Sequence, residues 1–410
     1  MIASESIYSP RSTHRCLGTV SQIILSLAVT SLALPRDALA DDTQVLEPVV
    51  VTATRVNTPV SEAPAAVSVV TDEQMERRDV SRIGDALTDI PGVFIRGSAF
   101  GEGTPGSTVG AITLRGIPGN GRTMLAVDGR SMDTGYNAQI NYSAIDLDDV
   151  ERIEVVPGPF SSLYGGSAFA GVINAITKVP DKREVIIKSG VGGGDALVER
   201  GSMVYRDRID RLGVSVGIGG TNSDGYADEF ATGTAPTGTT GWSRIPTSTG
   251  GTTQLLGGKG PKPWDEEHGH FTLFLDPTDS MQLTTGVSYS QTQVNFGSPN
   301  SYLRNAAGAS VLDTGSGFVV YEPSKETATR VFAKSETEIA PKTILKTDLA
   351  YSAFGFWYDS PKNTANVNNG VGMQYTAPTT RVEGTVQLDR AIGSWNTSDT
   401  GYLRQAGGYA

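Results

Sequence analysis

The stretch from Asp149 to Lys178 limits what this chain can fold into more than any other. It opens on a charged segment, Asp149-Val150-Glu151-Arg152, and passes into a β-run, Ile153-Glu154-Val155-Val156. Pro157-Gly158-Pro159 follows. Two fixed φ angles around a permissive glycine allow neither a helix nor a regular strand there. Tyr164-Gly165-Gly166 and the small-residue patch Ser167-Ala168-Phe169-Ala170-Gly171 then lead into a second β-run, Val172-Ile173-Asn174-Ala175-Ile176-Thr177. The unit reads as two strands joined by a rigid, glycine-rich crossing where backbones approach closely.

Upstream, the elements are short and mixed. Val67-Ser68-Val69-Val70 reads as a strand, and Thr71 with Gln74 forms a capping-box pattern for a short helix. Ile83, Leu87 and Ile90 fall at helical spacing within Arg82–Ile90, and Pro91-Gly92 ends that helix. Val93–Arg96, Ala111–Gly116 and Thr123–Gly129 supply three further strands or strand-turns.

Downstream of Lys178 the period changes to two. Leu212, Val214, Val216 and Ile218 alternate with Gly213, Ser215, Gly217 and Gly219. Met281, Leu283, Val287 and Tyr289 alternate with polar residues, as do Val382, Val386 and Leu388. Short turns at Asp207–Asp210, Asp276–Ser280 and Ala340–Thr343 alternate with long polar loops at about 222–264, 293–323 and 357–377. Strands with one apolar face and a short-long rhythm of connections predict an outer-membrane β-barrel rather than a soluble sandwich. No run after residue 40 reaches the ~18–20 apolar residues of a transmembrane helix, so any crossing of a membrane is made by strands.

Taken in order, E-R-I-E-V at Glu151–Val155, Gly158-Pro159, the Ser162-Leu163-Tyr164-Gly165 run and Gly171–Lys178 resemble the end of the plug domain of TonB-dependent outer-membrane receptors. The helix ending in Pro-Gly-Val, the Leu-Arg-Gly run and the Val-Asp-Gly turn extend that resemblance over about residues 46–178. The fold class it implies is a mixed α/β plug followed by an incomplete antiparallel transmembrane β-barrel. Its domains are a signal peptide (1–40), a periplasmic leader with a TonB box (41–55), the plug (56–180) and the first barrel strands (181–410). In the leader, Glu47, Pro48, Val49, Val50, Val51, Thr52 and Ala53 resemble the TonB box, the segment offered to the TonB-type energy-coupling protein. An extended Val/Thr-rich peptide suits strand addition to a partner's sheet edge. The resemblance also implies that apical plug loops face the ligand. Here those loops are 97–110 and 131–143, which carry Phe100, Tyr136, Asn137, Gln139 and Tyr142. Aromatic and amide side chains suit a bulky polar ligand. Arg115 corresponds to an arginine that anchors the plug to the barrel, while Pro157 stands where the family commonly has a second one.

The N-terminus fits an export route. Arg11, His14 and Arg15 precede an apolar core at Ile23–Leu34, and Ala38-Leu39-Ala40 supplies small residues at the cleavage positions of a secretory signal. The one cysteine, Cys16, lies inside that signal, so the mature chain would have neither disulfides nor thiol catalysis. Residues 1–40 hold three of the 33 basic and two of the 44 acidic residues, which leaves a mature net charge of −12 and argues against nucleic acid. Only two histidines follow the signal, His268 and His270, beside Asp265, Glu266 and Glu267. With no third ligand evident, they read as part of a solvated acidic strand start near the outer rim rather than as a metal site. No nucleophile–base triad and no Walker-type loop is present, so the chain reads as a non-enzyme without a cofactor.

The function these readings imply is active uptake of a scarce ligand, such as a ferric siderophore or cobalamin, through the outer membrane of a Gram-negative-type bacterium. Outer-membrane lipid would surround the barrel and the plug would gate it. A non-transporting adhesin or passive porin is the alternative. Residues 182–410 suffice for roughly 9–11 strands, fewer than the twenty-two of the large transporters. The chain also closes on Gln405–Ala410 without an aromatic-terminated strand. A fragment of a longer receptor, or a non-functional truncated one, is therefore the expectation.

Overall fold

The computed structural model describes residues 49–50, 52–55, 58–80, 82–95, 112–134, 138, 144–193, 196–225, 227, 230–258, 260–295, 300–311, 324–360, 373–392 and 395–406. The signal segment lies outside them. Two bodies emerge, a small mixed domain and a long antiparallel sheet that packs against it.

The small domain begins with β1 (Val49–Val50) paired to β2 (Thr58–Pro59). After it come β3 (Ser68–Thr71), helix α1 (Asp72–Arg77) and helix α2 (Ile83–Leu87). The capping box forms as read: the Thr71 hydroxyl accepts from the Gln74 amide, and the Gln74 side chain accepts from the Thr71 amide. β4 (Val93–Ile95) pairs with β5 (Ile112–Leu114), and β6 (Thr123–Val127) turns into β7 (Arg130–Ser131). β8 (Val150–Pro157) and β9 (Gly171–Thr177) flank the crossing, which contains one helical turn, α3 (Ser161–Tyr164). The main sheet runs β3-β8-β9-β6-β7, with β6 and β9 parallel and the other pairs antiparallel. Its core gathers Val70, Met75, Ile83, Leu87, Leu114, Leu125, Ile153, Val155 and Ile173.

Close backbone approach at the crossing is real. Gly171 has φ +148°, and a Cβ there would lie 2.5 Å from both the Val156 carbonyl oxygen and Leu114 Cδ1. Only a residue without a side chain lets β9 start against the end of β8.

Nine long strands form the second body, each hydrogen-bonded to the next: β10 (Glu184–Gly192), β11 (Val198–Ile209), β12 (Leu212–Ser223), β16 (Trp264–Thr278), β17 (Met281–Val294), β19 (Ser324–Ala340), β20 (Thr343–Ser360), β22 (Thr379–Ile392) and β23 (Trp395–Ala406). β21 (Met373–Thr376) extends the pairing of β20. Every pairing in this sheet is antiparallel, and among the described residues β10 and β23 are its two edges. The alternation resolves as expected for a wall between lipid and a polar lumen. Val185, Ile209, Leu349 and Val386 are more than half exposed on one face, while Ser215, Arg206, Ser290, Glu326 and Arg381 are buried on the other. The turns at 210–211, 279–280 and 341–342 are tight, as read.

Two of the long loops are more ordered than a polar loop reading implies. β13 (Phe230–Gly233), β14 (Ser243–Pro246) and β15 (Thr252–Gly258), from one connection, join β18 (Asn300–Ser301) from the next. Burial of Ala231, Leu256 and Leu303 between them supplies the reason, because these few apolar residues meet only when both connections fold together.

The crossing yields a prediction. Gly171→Ala should destabilise the small domain by roughly 2–4 kcal/mol, read as a lower urea midpoint for its protection from protease. Gly166→Ala, where nothing lies within 4 Å of the added carbon, should leave the midpoint unchanged.

Candidate functional site

The segment Val49–Ala53 does not hang free where it is described. Val50, Thr52 and Ala53 are buried. Thr52 is the fastening point: its amide and its hydroxyl both donate to Glu154 Oε2, at 2.8 and 2.6 Å. Asn174 Nδ2 donates to the same hydroxyl at 3.1 Å, and the Tyr164 hydroxyl donates to the Thr52 carbonyl at 3.0 Å. Thr52 is thereby tied to β8 through Glu154, to β9 through Asn174 and to α3 through Tyr164.

Each partner is itself held. Arg152 Nε donates to Glu154 Oε1 at 2.9 Å, and the Gly129 amide donates to Asn174 Oδ1 at 2.9 Å. Burial pushes the Tyr164 phenol up to about 12, which keeps it protonated as a donor. The Arg55 guanidinium stacks 4.5 Å from the Tyr164 ring centre, and Gln387 of β22 donates to the Arg55 carbonyl at 3.1 Å. Glu154 and Asn174 are charged or polar residues at buried strand positions between apolar neighbours, which is the signal that marks them in the sequence. Glu47, Pro48 and Val51 lie outside the described residues.

The five loop residues read as ligand contacts, Phe100, Tyr136, Asn137, Gln139 and Tyr142, also lie outside the described residues. The stem of the second loop is described, and it is anchored. Asp133 accepts from Ser167 Oγ at 2.7 Å and from the Ser131 hydroxyl. From the wall, Arg381 Nη1 donates to Asp133 Oδ1 at 2.9 Å, and its other nitrogen reaches the Asp133 carbonyl. Arg381 and Asp133 are both essentially inaccessible to solvent.

Arg115 sits in a left-handed turn (φ +53°) and donates to the Pro157 carbonyl at 3.3 Å, a contact within the small domain. The contacts that join domain to wall run mostly the other way round, from wall cations to domain aspartates. Arg206 of β11 donates to Asp149 at 3.0 Å and to the Asp148 carbonyl, Lys188 of β10 pairs with Asp148, and Ser202 donates to Asp148 at 2.7 Å. Arg330 of β19 donates to the Met132 carbonyl at 3.1 Å. One pair keeps the opposite polarity, Arg130 of the domain with Asp348 of the wall at 3.1 Å. The wall arginines were not singled out in the sequence because a charged residue every second position reads simply as a polar face.

The histidine reading needs correction. His268 and His270 do share a face, but that face is the inner one, against Asp146 and Asp149 of the small domain, and both rings are largely buried. Opposite them on β12 stand Gly219 and Gly217, which leave the rings their space. Among the described residues, no group of three ligating side chains is close enough to hold a metal ion.

Comparison with known proteins agrees with this geometry. Residues 59–172 match the family described as TonB-dependent Receptor Plug Domain. The vitamin B12 transporter BtuB of Vibrio vulnificus is 33% identical over 177 residues, covering 43% of this chain and 28% of that protein. The iron-regulated outer membrane virulence protein of Vibrio cholerae is 34% identical over 164 residues, covering 38% of this chain and 23% of that protein. Each alignment thus spans less than a third of the relative. Among solved structures, the ferric enterobactin receptor PfeA of Pseudomonas aeruginosa superposes with a TM-score of 0.60 at 17% identity, over 88% of this chain and 51% of that one. The siderophore receptor PirA of Acinetobacter baumannii gives 0.59 at 17% identity, over 83% and 48%. These two share the fold, with this chain matching about half of each.

Two outcomes follow. Thr52→Val leaves Asn174 Nδ2 without its acceptor and should cost about 1–3 kcal/mol of local docking; a cysteine placed at Val50 should then react with a thiol reagent at least about fivefold faster. Arg381→Ala leaves the Asp133 carboxylate buried and without its cation, at a cost of roughly 3–5 kcal/mol, read as a lower urea midpoint for release of the small domain from the sheet.

Proposed function

The chain carries the plug domain of the TonB-dependent receptors, set against a sheet of their outer-membrane barrel, and on that premise we propose that it takes part in energy-coupled uptake across the outer membrane. The ligand class is a scarce, bulky chelate, a ferric siderophore or a cobalamin. The named relatives are a vitamin B12 transporter and an iron-regulated outer-membrane protein, and the structural neighbours are siderophore receptors. The partner is a TonB-type energy-coupling protein that grips Glu47–Ala53 from the periplasm.

One observation carries the reading: within the coupling segment, Thr52 is hydrogen-bonded to side chains of two interior strands of the plug sheet, β8 and β9. A pull on the main chain is passed through Thr52 to Glu154 on β8 and Asn174 on β9. The side chains of Glu47–Val51 need supply no chemistry, because main-chain pairing gives a partner strand its grip. A force directed into β8 and β9 acts on the strands that carry the plug's core, while the aspartates just before β8 hold it to the wall. Work done on the segment is therefore delivered where the plug and wall separate.

Deleting Glu47–Ala53 from the full-length receptor tests this. Accumulation of ferric siderophore or cobalamin should fall to background while ligand binding to the cell surface stays within about twofold of wild type. Unimpaired accumulation would refute the coupling role of the segment.

A further inference from the structure

Three cavities lie in the seam between plug and wall, and they descend it in order. The first, about 240 Å³, is lined by Thr221 and Glu266, near the ends of β12 and β16 that border the long connection between them. The second, about 90 Å³, is lined by Ser288, Phe332 and Ala350, all at mid-strand. The third, about 270 Å³, is lined by Lys334 and Lys346, toward the tight turn at 341–342. On its plug side stand Tyr164 and Asn174, two of the groups that hold Thr52. The line of cavities therefore ends beside the coupling segment.

Neighbouring cavities share their dividing residues. Ile145 and Asp146 line both the first and the second, while Asp128, Arg130 and Glu383 line both the second and the third. All three have room for water. None reaches the roughly 300–1,000 Å³ of a site that encloses a small-molecule ligand, and the middle one is the narrowest. As it stands, the seam admits water and excludes a bulky chelate.

Arg130 lies across the boundary between the second cavity and the third. It belongs to β7, the edge strand of the plug sheet, and its side chain reaches the wall. Nη2 donates to Asp128 Oδ2 at 3.1 Å, and Nη1 donates to Asp348 Oδ2 of β20 at 3.1 Å. The guanidinium carbon also lies 3.8 Å from the ring centre of Phe332 on β19. A flat, forked cation can answer two carboxylates and lie on a ring at once. Asp128 is fixed in turn by the amide and the hydroxyl of Thr177, both at 2.9 Å. The turn that carries Arg130 is tied to the tether at Thr52: the Gly129 amide donates to Asn174 Oδ1, and Asn174 Nδ2 donates to the Thr52 hydroxyl. Among the ion pairs between plug and wall, Arg130–Asp348 is more accessible to solvent than Asp133–Arg381 or Asp149–Arg206. A partly solvated pair separates at lower cost than a buried one.

We propose that the three cavities are segments of one passage and that Arg130 is the bar that closes it between the second and the third. The inference rests on the uptake reading, in which this passage is the line along which plug and wall part for the ligand. A pull on the coupling segment displaces the Asn174 carboxamide, and with it the Gly129 amide beside the bar. Once the pair with Asp348 is broken, the middle and lower cavities join and water reaches the mid-strand face of the wall from the side of the coupling segment.

Thiol labelling of the full chain in detergent micelles, in a Cys16→Ser background, tests the bar. Single cysteines replace Thr221 in the first cavity, Ser288 in the second and Thr385 in the third, and the probe is a small cationic methanethiosulfonate. With Arg130 present, Ser288→Cys should react at least about tenfold more slowly than Thr385→Cys. Arg130→Ala should bring Ser288→Cys to within about threefold of Thr385→Cys. Asp348→Ala, which leaves the plug sequence intact, should do the same. Thr221→Cys should keep its rate within about twofold in both variants, because the plug stays on the wall. Equal rates for Ser288→Cys and Thr385→Cys with Arg130 in place would overturn the proposal. So would a Ser288→Cys that stays slow in either variant, or acceleration at all three positions, which marks release of the whole plug. Neither ligand nor coupling protein is present, so failure here leaves the uptake reading to the deletion of Glu47–Ala53.

Discussion

In hydrocarbon no water is present to satisfy a backbone amide or carbonyl, and the rest of this structure follows from that constraint. It forces the chain after residue 184 into a meander in which each long strand pairs with the next. Because side chains alternate along a strand, one face must then be apolar and the other is free to be polar. The apolar face carries residues such as Val185, Leu349 and Val386. The polar face carries arginines, aspartates, glutamates and histidines that could not be placed anywhere else in a bilayer. A plug domain can be held there only if it offers the opposite charges.

It does so with a short acidic run. Asp146, Asp148 and Asp149 stand immediately before β8, the strand that begins the most constrained stretch of the sequence. Asp133 anchors the stem of the neighbouring loop to Arg381. The Asp149–Arg206 and Asp133–Arg381 pairs are buried, so they contribute orientation more than net stability, and breaking one side is costlier than never having made the pair. Wall cations Arg206, Lys188 and Arg381 reach inward to the plug.

Thr52 fastens the segment around Val49–Ala53 with hydrogen bonds to Glu154, Asn174 and Tyr164. Glu154, which holds Thr52, lies on β8, and the aspartates that meet the wall stand just before the same strand.

Much of this architecture was legible without coordinates. The capping box at Thr71, the crossing at Pro157–Gly171 and the period-two strands at Leu212, Met281 and Val382 are local patterns, decided by backbone freedom and by which face of a strand meets water or lipid, whereas the helix expected to run to Pro91-Gly92 already ends at Leu87. Local patterns survive translation into structure because they depend only on near neighbours in the chain. What the sequence did not reveal are pairings across long separations: Thr52 with Glu154, Asp133 with Arg381, and the turn of His268 and His270 inward onto Asp146 rather than outward into solvent. Period two says that two histidines share a face but not which face is buried, and an aspartate does not record which strand will bring its arginine. Those choices were made by packing a charged plug against a charged wall, and only the tertiary structure decided them.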